Sequence, residues 1–163
     1  MIYSVRLQKT VPVSVECTKY NLGGFGNFIR YTVKDGKIPV GVVDLQDTIN
    51  GVSVLYIKKE QPDLYRGFGE IADQIEVEHC LNKGITNPYI NSKAALGSHI
   101  QHFKRGKRFV NEGVNTYLDF VVKGLMKGER VLTNFLGEQP MFMPQNLVQE
   151  CMERIKLCPL LKK

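Results

Sequence analysis

Tryptophan is missing from all 163 residues, and the four cysteines, Cys17, Cys80, Cys151 and Cys158, stand far apart. None pairs with another cysteine or a histidine at a metal-ligand or disulfide-framework spacing, which argues against a zinc module and a stapled secreted scaffold. Cys151 and Cys158 fall on one apolar helical face and read as packed thiols. No apolar run approaches the roughly 20 residues that cross a bilayer. The opening Met1-Ile2-Tyr3-Ser4-Val5-Arg6-Leu7 has strand alternation and no apolar signal-peptide segment. Repeats, low-complexity tracts and Pro- or Ser-rich linkers are lacking as well. The expectation is a reduced, cytoplasmic protein of one domain over residues 1–163, with no membrane partner.

What is present is an ordinary globular balance, with 43% apolar and 23% charged residues. The net charge of +6 and pI near 9.1 favour anionic partners, but only as a field. Acidic stretches around 44–47 and 70–78 break up any broad basic face and argue against nucleic acid.

The densest information lies between residues 28 and 72. Phe28-Ile29-Arg30-Tyr31-Thr32-Val33 alternates at strand period and runs into Asp35-Gly36. Val40-Gly41-Val42-Val43-Asp44-Leu45 follows, then Asn50-Gly51, then Val52-Ser53-Val54-Leu55-Tyr56-Ile57. Asp-Gly and Asn-Gly between apolar runs signal hairpins of type I′, whose central residues both need positive φ. This predicts an antiparallel meander over residues 27–58. It delivers the chain to Tyr65-Arg66-Gly67-Phe68-Gly69-Glu70-Ile71-Ala72, a glycine turn opening a helix. Such a turn presents free N–H groups and a positive dipole end, the elements of a phosphate site. A plain strand-to-helix turn is the alternative, and Arg66 beside it favours phosphate.

Elsewhere the pattern predicts a strand over 2–8 and a Gly- and Pro-marked loop over 10–26 with at most a helical turn. A helix over 70–83 has Ile71, Ala72 and Ile75 on one face and a solvated acidic face that includes Glu76 and Glu78; Gly84 caps it. Tyr89-Ile90 centres a short strand. A second helix takes Ser92 as N-cap and carries a stripe of Leu96, His99, Ile100 and Phe103. Strands are expected near 107–110 and 116–123. Leu147, Val148, Cys151, Met152 and Ile155 recur at helical spacing until Pro159.

In this order the residues resemble the core of the GNAT superfamily of acyl-CoA-dependent N-acetyltransferases, over about residues 27–125. The family's motif is Arg/Gln, two residues, Gly, one residue, Gly/Ala; here Arg66 and Gly69 fill its first and fourth places, and Ile71 stands in the sixth. The helix closing in Phe103-Lys104-Arg105-Gly106-Lys107-Arg108-Phe109 is similar to the family's helix that ends in an aromatic, basic residues, Gly and Phe. The resemblance implies an α/β (α+β) fold with a mixed, mainly antiparallel sheet flanked by helices. It implies acetyl-CoA as the acyl donor, its pyrophosphate over Gly67, Phe68, Gly69, Glu70 and Ile71, and a backbone N–H near Ile57 polarising the thioester. The family's two helices between its first and second strands have no counterpart in residues 9–26.

Acyl transfer to an amine needs a polyanion site, a base for the ammonium and an acid for the thiolate. Arg66 and the glycine turn meet the first need. Glu60 is the candidate base, against a solvated carboxylate beside Lys58 and Lys59. His102 is the candidate acid because histidine titrates near neutrality, against a packing role beside Phe103. Cys80 and His79 are neighbours on a helix and do not face each other, so no thiol–imidazole pair is expected there. The run Lys104, Arg105, Lys107, Arg108 has three readings: an offset to a helix dipole, contact with the 3′-phosphate of coenzyme A through Lys104 and Arg105, or a nucleic-acid patch. The function expected is therefore N-acetyl transfer to a primary amine, small or protein-borne. A catalytically silent GNAT-like binding domain and a basic nucleic-acid-binding module are the alternatives, and a homodimer is left open.

Overall fold

Strand-period alternation does most of the building. In the computed structural model, which describes residues 1–94, 98–128 and 137–162, the strands are β1 (Ile2–Ser4), β2 (Lys9–Val11), β3 (Ser14–Asn21), β4 (Asn27–Asp35), β5 (Ile38–Thr48), β6 (Gly51–Lys59), β7 (Tyr65–Arg66), β8 (Tyr89–Ala94), β9 (Arg108–Phe109) and β10 (Gln139–Phe142). The helices are α1 (Phe68–Asn82), α2 (His99–Lys104), α3 (Glu112–Met126) and α4 (Gln145–Leu157). Seven strands form one sheet in the order β3-β4-β5-β6-β8-β10-β9, and β2-β1-β7 form a small second one. Every neighbouring pair in the large sheet is antiparallel except β6 and β8, which run parallel. The expected mixed, mainly antiparallel α/β architecture is the one observed, with α1 lying against the meander.

Alternation decides which face is dry. Ile29, Tyr31 and Val33 of β4, Val43 and Leu45 of β5, and Val52 and Val54 of β6 all point one way and form a core with Phe68, Ile71 and Ile75 of α1 and Leu147 and Val148 of α4. Further along, Ala94, Met141 and Phe109 take Val114 and Leu118 of α3. The alternate positions include Arg30, Asp44, Ser53, Tyr56 and Asn91, with Arg30 forking onto Asp44 at 2.7 Å through both nitrogens. Packing helices on one face and leaving polar side chains on the other suits an antiparallel sheet.

The hairpins differ from expectation in their turns. Gly36 has φ +58 and no neighbour of it is positive, the pattern of a II′ connection. The second turn is Ile49-Asn50, and Gly51 is already the first residue of β6, paired with Thr48. Its glycine serves space instead: a Cβ there would lie 1.8 Å from the Tyr89 carbonyl oxygen of β8.

Five further expectations fail. The supposed loop at 10–26 contains β2 and β3; β3 is exposed along nearly its whole length, so it carried no apolar alternation to read, although its ladder to β4 is complete from Ser14–Lys34 to Asn21–Asn27. The supposed strand at 116–123 is part of α3, whose Val114, Leu118 and Val121 are the buried positions; exposed Phe120 made the pattern look alternating. The Asn111 side chain caps that helix by accepting from Gly113 N at 2.9 Å. Ser92 belongs to β8 and the second helix starts only at His99; Leu96 of its predicted stripe lies outside the described residues. Finally, the acidic side of α1 is not solvated. Glu76 and Glu78 are buried, Glu78 because its carboxylate accepts from the N–H groups of Leu160 and Leu161 at 2.9 Å each. Of the two C-terminal thiols, Cys151 is packed, whereas Cys158 is exposed past the end of α4.

Candidate functional site

The parallel pair creates an opening. β6 and β8 are in register only over Gly51–Ser53 and Tyr89–Asn91, yet β6 continues to Lys59 and β8 to Ala94. The crossover between them is α1, and it starts at the carboxyl end of β6. Ligand clefts in sheets with parallel strands form at that end, where a helix N-terminus faces them. Gly67 makes the corner with φ 89 and ψ 10, left-handed values that a Cβ resists, and no side chain caps the first turn. The N–H groups of Phe68, Gly69 and Glu70 thus open the helix.

Two arginines flank this turn on one side. Arg66, on β7, and Arg154, on α4, line a cleft of about 320 Å³ with Gly67, Glu70 and Ile71. The Arg154 terminal nitrogen donates to Cys151 Sγ at 3.1 Å, while its Nε is buried with no hydrogen-bond partner. Nothing in the sequence singled out Arg154, because its proximity to the turn comes from α4 packing on α1.

The other side holds a buried charge cluster. Arg105 lies over Gly69, its side chain 2.8 Å from where a Cβ would be. Its Nε donates to Asp73 Oδ2 at 3.1 Å. Lys107 reaches Asp73 at 3.2 Å and Glu76 at 2.8 Å, and all three side chains are 0–1% exposed. Burial drives the Asp73 carboxyl up, but Lys107 and Arg105 outweigh it and the net displacement is downward. Burial takes the Glu76 carboxyl up to about 7 against the pull of Lys107. The spacing of Asp73, Glu76, Arg105 and Lys107 across two elements was the signal available. It was obscured because a charged run reads as solvated by default.

The cluster changes several assignments. Arg105 and Lys107 are internal ion pairs, so the run 104–108 is not a continuous basic patch; Lys104 is exposed and Arg108 lies over Phe103 at 4.5 Å. His102 Nδ1 accepts from the Arg105 guanidinium at 3.1 Å. Burial first, then the Arg105 and Lys107 charges, push its pKa down to about 3. The expectation of a near-neutral histidine acid is corrected: His102 is held as a neutral imidazole.

The remaining candidates are spread out. Ile57 is on β6, opposite Val43 and packed at the edge of the core. Glu60 follows β6 directly, its N–H donating to Val40 O at 2.9 Å and its carboxylate pairing with Lys58 at 3.1 Å. Arg66 to Ile71 form one contiguous corner, joined from α2 by Arg105.

No protein-family model and no curated protein matches the chain. Among solved structures it is similar to an acyl-CoA N-acyltransferase from Pseudomonas aeruginosa, with 9% identity and a TM-score of 0.50 over 80% of this chain and 100% of that one. A putative acetyltransferase of the GNAT family from Bacteroides thetaiotaomicron matches at 14% identity and a TM-score of 0.34, over 85% of this chain and 77% of that one. The fold is GNAT-like.

Proposed function

We propose that the protein is an acyl-CoA-dependent N-acyltransferase that moves an acetyl group from acetyl-CoA to a primary amine. The observation that carries this reading is the corner at Gly67: an uncapped helix turn at the mouth of the only parallel strand pair among the described residues, flanked by Arg66 and Arg154. The residues suit a polyanion. Three first-turn N–H groups, a positive dipole end and a buried guanidinium nitrogen without a partner all favour phosphate oxygens. Acetyl-CoA brings the acetyl group as a thioester; the chain's part is to hold it and manage protons. A backbone N–H of β6 near Ile57 would polarise the carbonyl. The ammonium first gives one proton to Glu60, directly or through water; attack then forms the C–N bond and breaks the C–S bond, and the second nitrogen proton leaves to solvent. The thiolate takes its proton from solvent, with neutral His102 limited to donating a hydrogen bond. Cys80 and Cys151 are unsuited to an acyl-cysteine step, since burial raises the Cys80 thiol to about 12 and the Cys151 thiol to about 11.

The test is thermal shift followed by thiol release. Acetyl-CoA at 100 times its dissociation constant should add about 2.7 kcal/mol of stability. Charge reversal by Arg66→Glu or Arg154→Glu should weaken binding at least tenfold. An amine panel should release free thiol at rates that rise with pH as the amine deprotonates. Absence of any shift by acetyl-CoA or a longer acyl-CoA would overturn the reading. Binding without turnover would favour a silent GNAT-like binding domain, a reading supported by residues 9–26, which carry strands β2 and β3 where the family has helices.

A further inference from the structure

A second cleft, larger than the one at the glycine corner, lies at the opposite end of α1. It measures about 940 Å³ and lies between the β3–β4 hairpin, β5, the last turn of α1 and residues 161–162. Gly67 and His79 are separated by twelve residues of helix, roughly 18 Å at 1.5 Å per residue, so this cleft is distinct from the glycine corner. It exists because the helix-side face of the sheet is left uncovered at β3, where Val15, Cys17 and Lys19 alternate toward it.

Its floor is a fixed hydrogen-bond relay. Tyr31 bonds His79 Nδ1 at 2.7 Å, and His79 Nε2 bonds Asp47 Oδ1 at 2.7 Å. A carboxylate only accepts, so Nε2 carries a hydrogen, and in the neutral ring Nδ1 then accepts from the Tyr31 hydroxyl. The other Asp47 oxygen is held by the Lys83 ammonium. The floor is therefore satisfied from within and Asp47 is fully engaged.

The rim carries more cations than this one pair uses. Lys19, Lys83 and Lys162 line the cleft, Asp47 is the one carboxylate among the described residues that does, and it is already paired with Lys83, so the charge of Lys19 and Lys162 is left in excess. Between rim and floor run apolar side chains, Val15, Ile29 and Leu161, and amides from Asn21, Asn27 and Asn82. Excess positive charge beside an apolar wall selects an anion with a hydrophobic body, and the volume is that of a small-molecule pocket.

We propose that this cleft is a second binding site, for a small organic oxyanion with an apolar body. Lys19 and Lys83 hold the oxyanion, the wall of Val15, Ile29 and Leu161 takes the body, and the amides orient it. A carboxylate and a phosphate ester share this chemistry, and the site is independent of acetyl-CoA.

Two exposed thiols supply the readout. Cys17 lines this cleft, whereas Cys158 lines the cleft at the glycine corner. The full chain is treated with iodoacetamide, with and without 3-phenylpropionate or phenyl phosphate, and alkylation at each cysteine is followed by mass spectrometry. At millimolar ligand, at least one probe should slow alkylation of Cys17 tenfold or more and protect it more than Cys158; the probe that protects Cys17 more identifies the head group. Lys19→Glu, an exposed substitution that the fold tolerates, should abolish protection, and Lys83→Gln should weaken it. No protection by either probe, equal protection of both cysteines, or undiminished protection in Lys19→Glu would each overturn the proposal.

Discussion

Lys107 is a fully buried ammonium shared by two carboxylates, and such a group costs several kcal/mol to desolvate unless every charge finds a partner. Lys107→Met should therefore destabilise by about 3–5 kcal/mol in urea unfolding, because Glu76 and part of Asp73 are left buried without their cation. The double variant Lys107→Met/Glu76→Gln should lose clearly less than the single one. His102 sets a pH dependence whose sign is fixed by its depressed pKa. An unfolded histidine binds a proton below about 6.5, while the folded one, facing Arg105, Lys107 and Asp73, refuses it down to about 3. The His102 contribution is thus complete above that unfolded value and falls as pH drops through the window, by about 1.4 kcal/mol per pH unit for one proton. Glu76, whose buried carboxyl takes up a proton in the fold from about pH 7, contributes with the opposite sign over the upper part of that window. The lowered Asp73 carboxyl extends the loss at the acid end. His102→Asn should remove the falling contribution, so that stability drops less steeply or rises as pH falls from 6 to 4; an unchanged slope would assign the acid sensitivity elsewhere.

Glycines mark the elements, by shape in one place and by space in another. Gly67→Ala forces a left-handed residue at the start of α1 and should cost about 1–2 kcal/mol. Gly51→Ala drives a methyl group into the Tyr89 backbone and should cost about 1–3 kcal/mol or more. It should also raise amide exchange in β8, which is the readout that separates it from a turn defect. The meander, α1 and α4 were legible in the sequence because each buries one face, and burial writes a period into the residues. Strand β3 was not, since exposure on both sides leaves no period. The helix α3 misled through exposed Phe120, and short β10, Gln139–Phe142, offered too few residues to read. At the candidate site the contiguous corner Arg66 to Ile71 was visible, while Arg154 and the Asp73–Glu76–Lys107 cluster arise only from packing between distant segments.

For the molecule as a whole, among the described residues no helix is long and apolar enough to cross a membrane. The C-terminal segment is tied to α1 by the Glu78 carboxylate and by Gln74, which donates to Cys158 O at 2.8 Å. Glu78→Ala should release that segment and lower the melting temperature by several degrees, since two part-buried N–H groups lose their acceptor. The three-residue parallel pairing of β6 with β8 has a consequence for the order of assembly. The β4–β5 and β5–β6 pairs join neighbouring segments, but Val52 and Ile90 meet across 38 residues of chain, a loop that closes at greater entropic cost. The meander should form in the folding transition state and the seam after it. Ile90→Val, at a site 1% exposed, should then cost about 0.5–1.5 kcal/mol. Nearly all of that should appear as faster unfolding with an unchanged refolding limb, so the mouth of the proposed acyl-CoA site closes after the meander and opens before it.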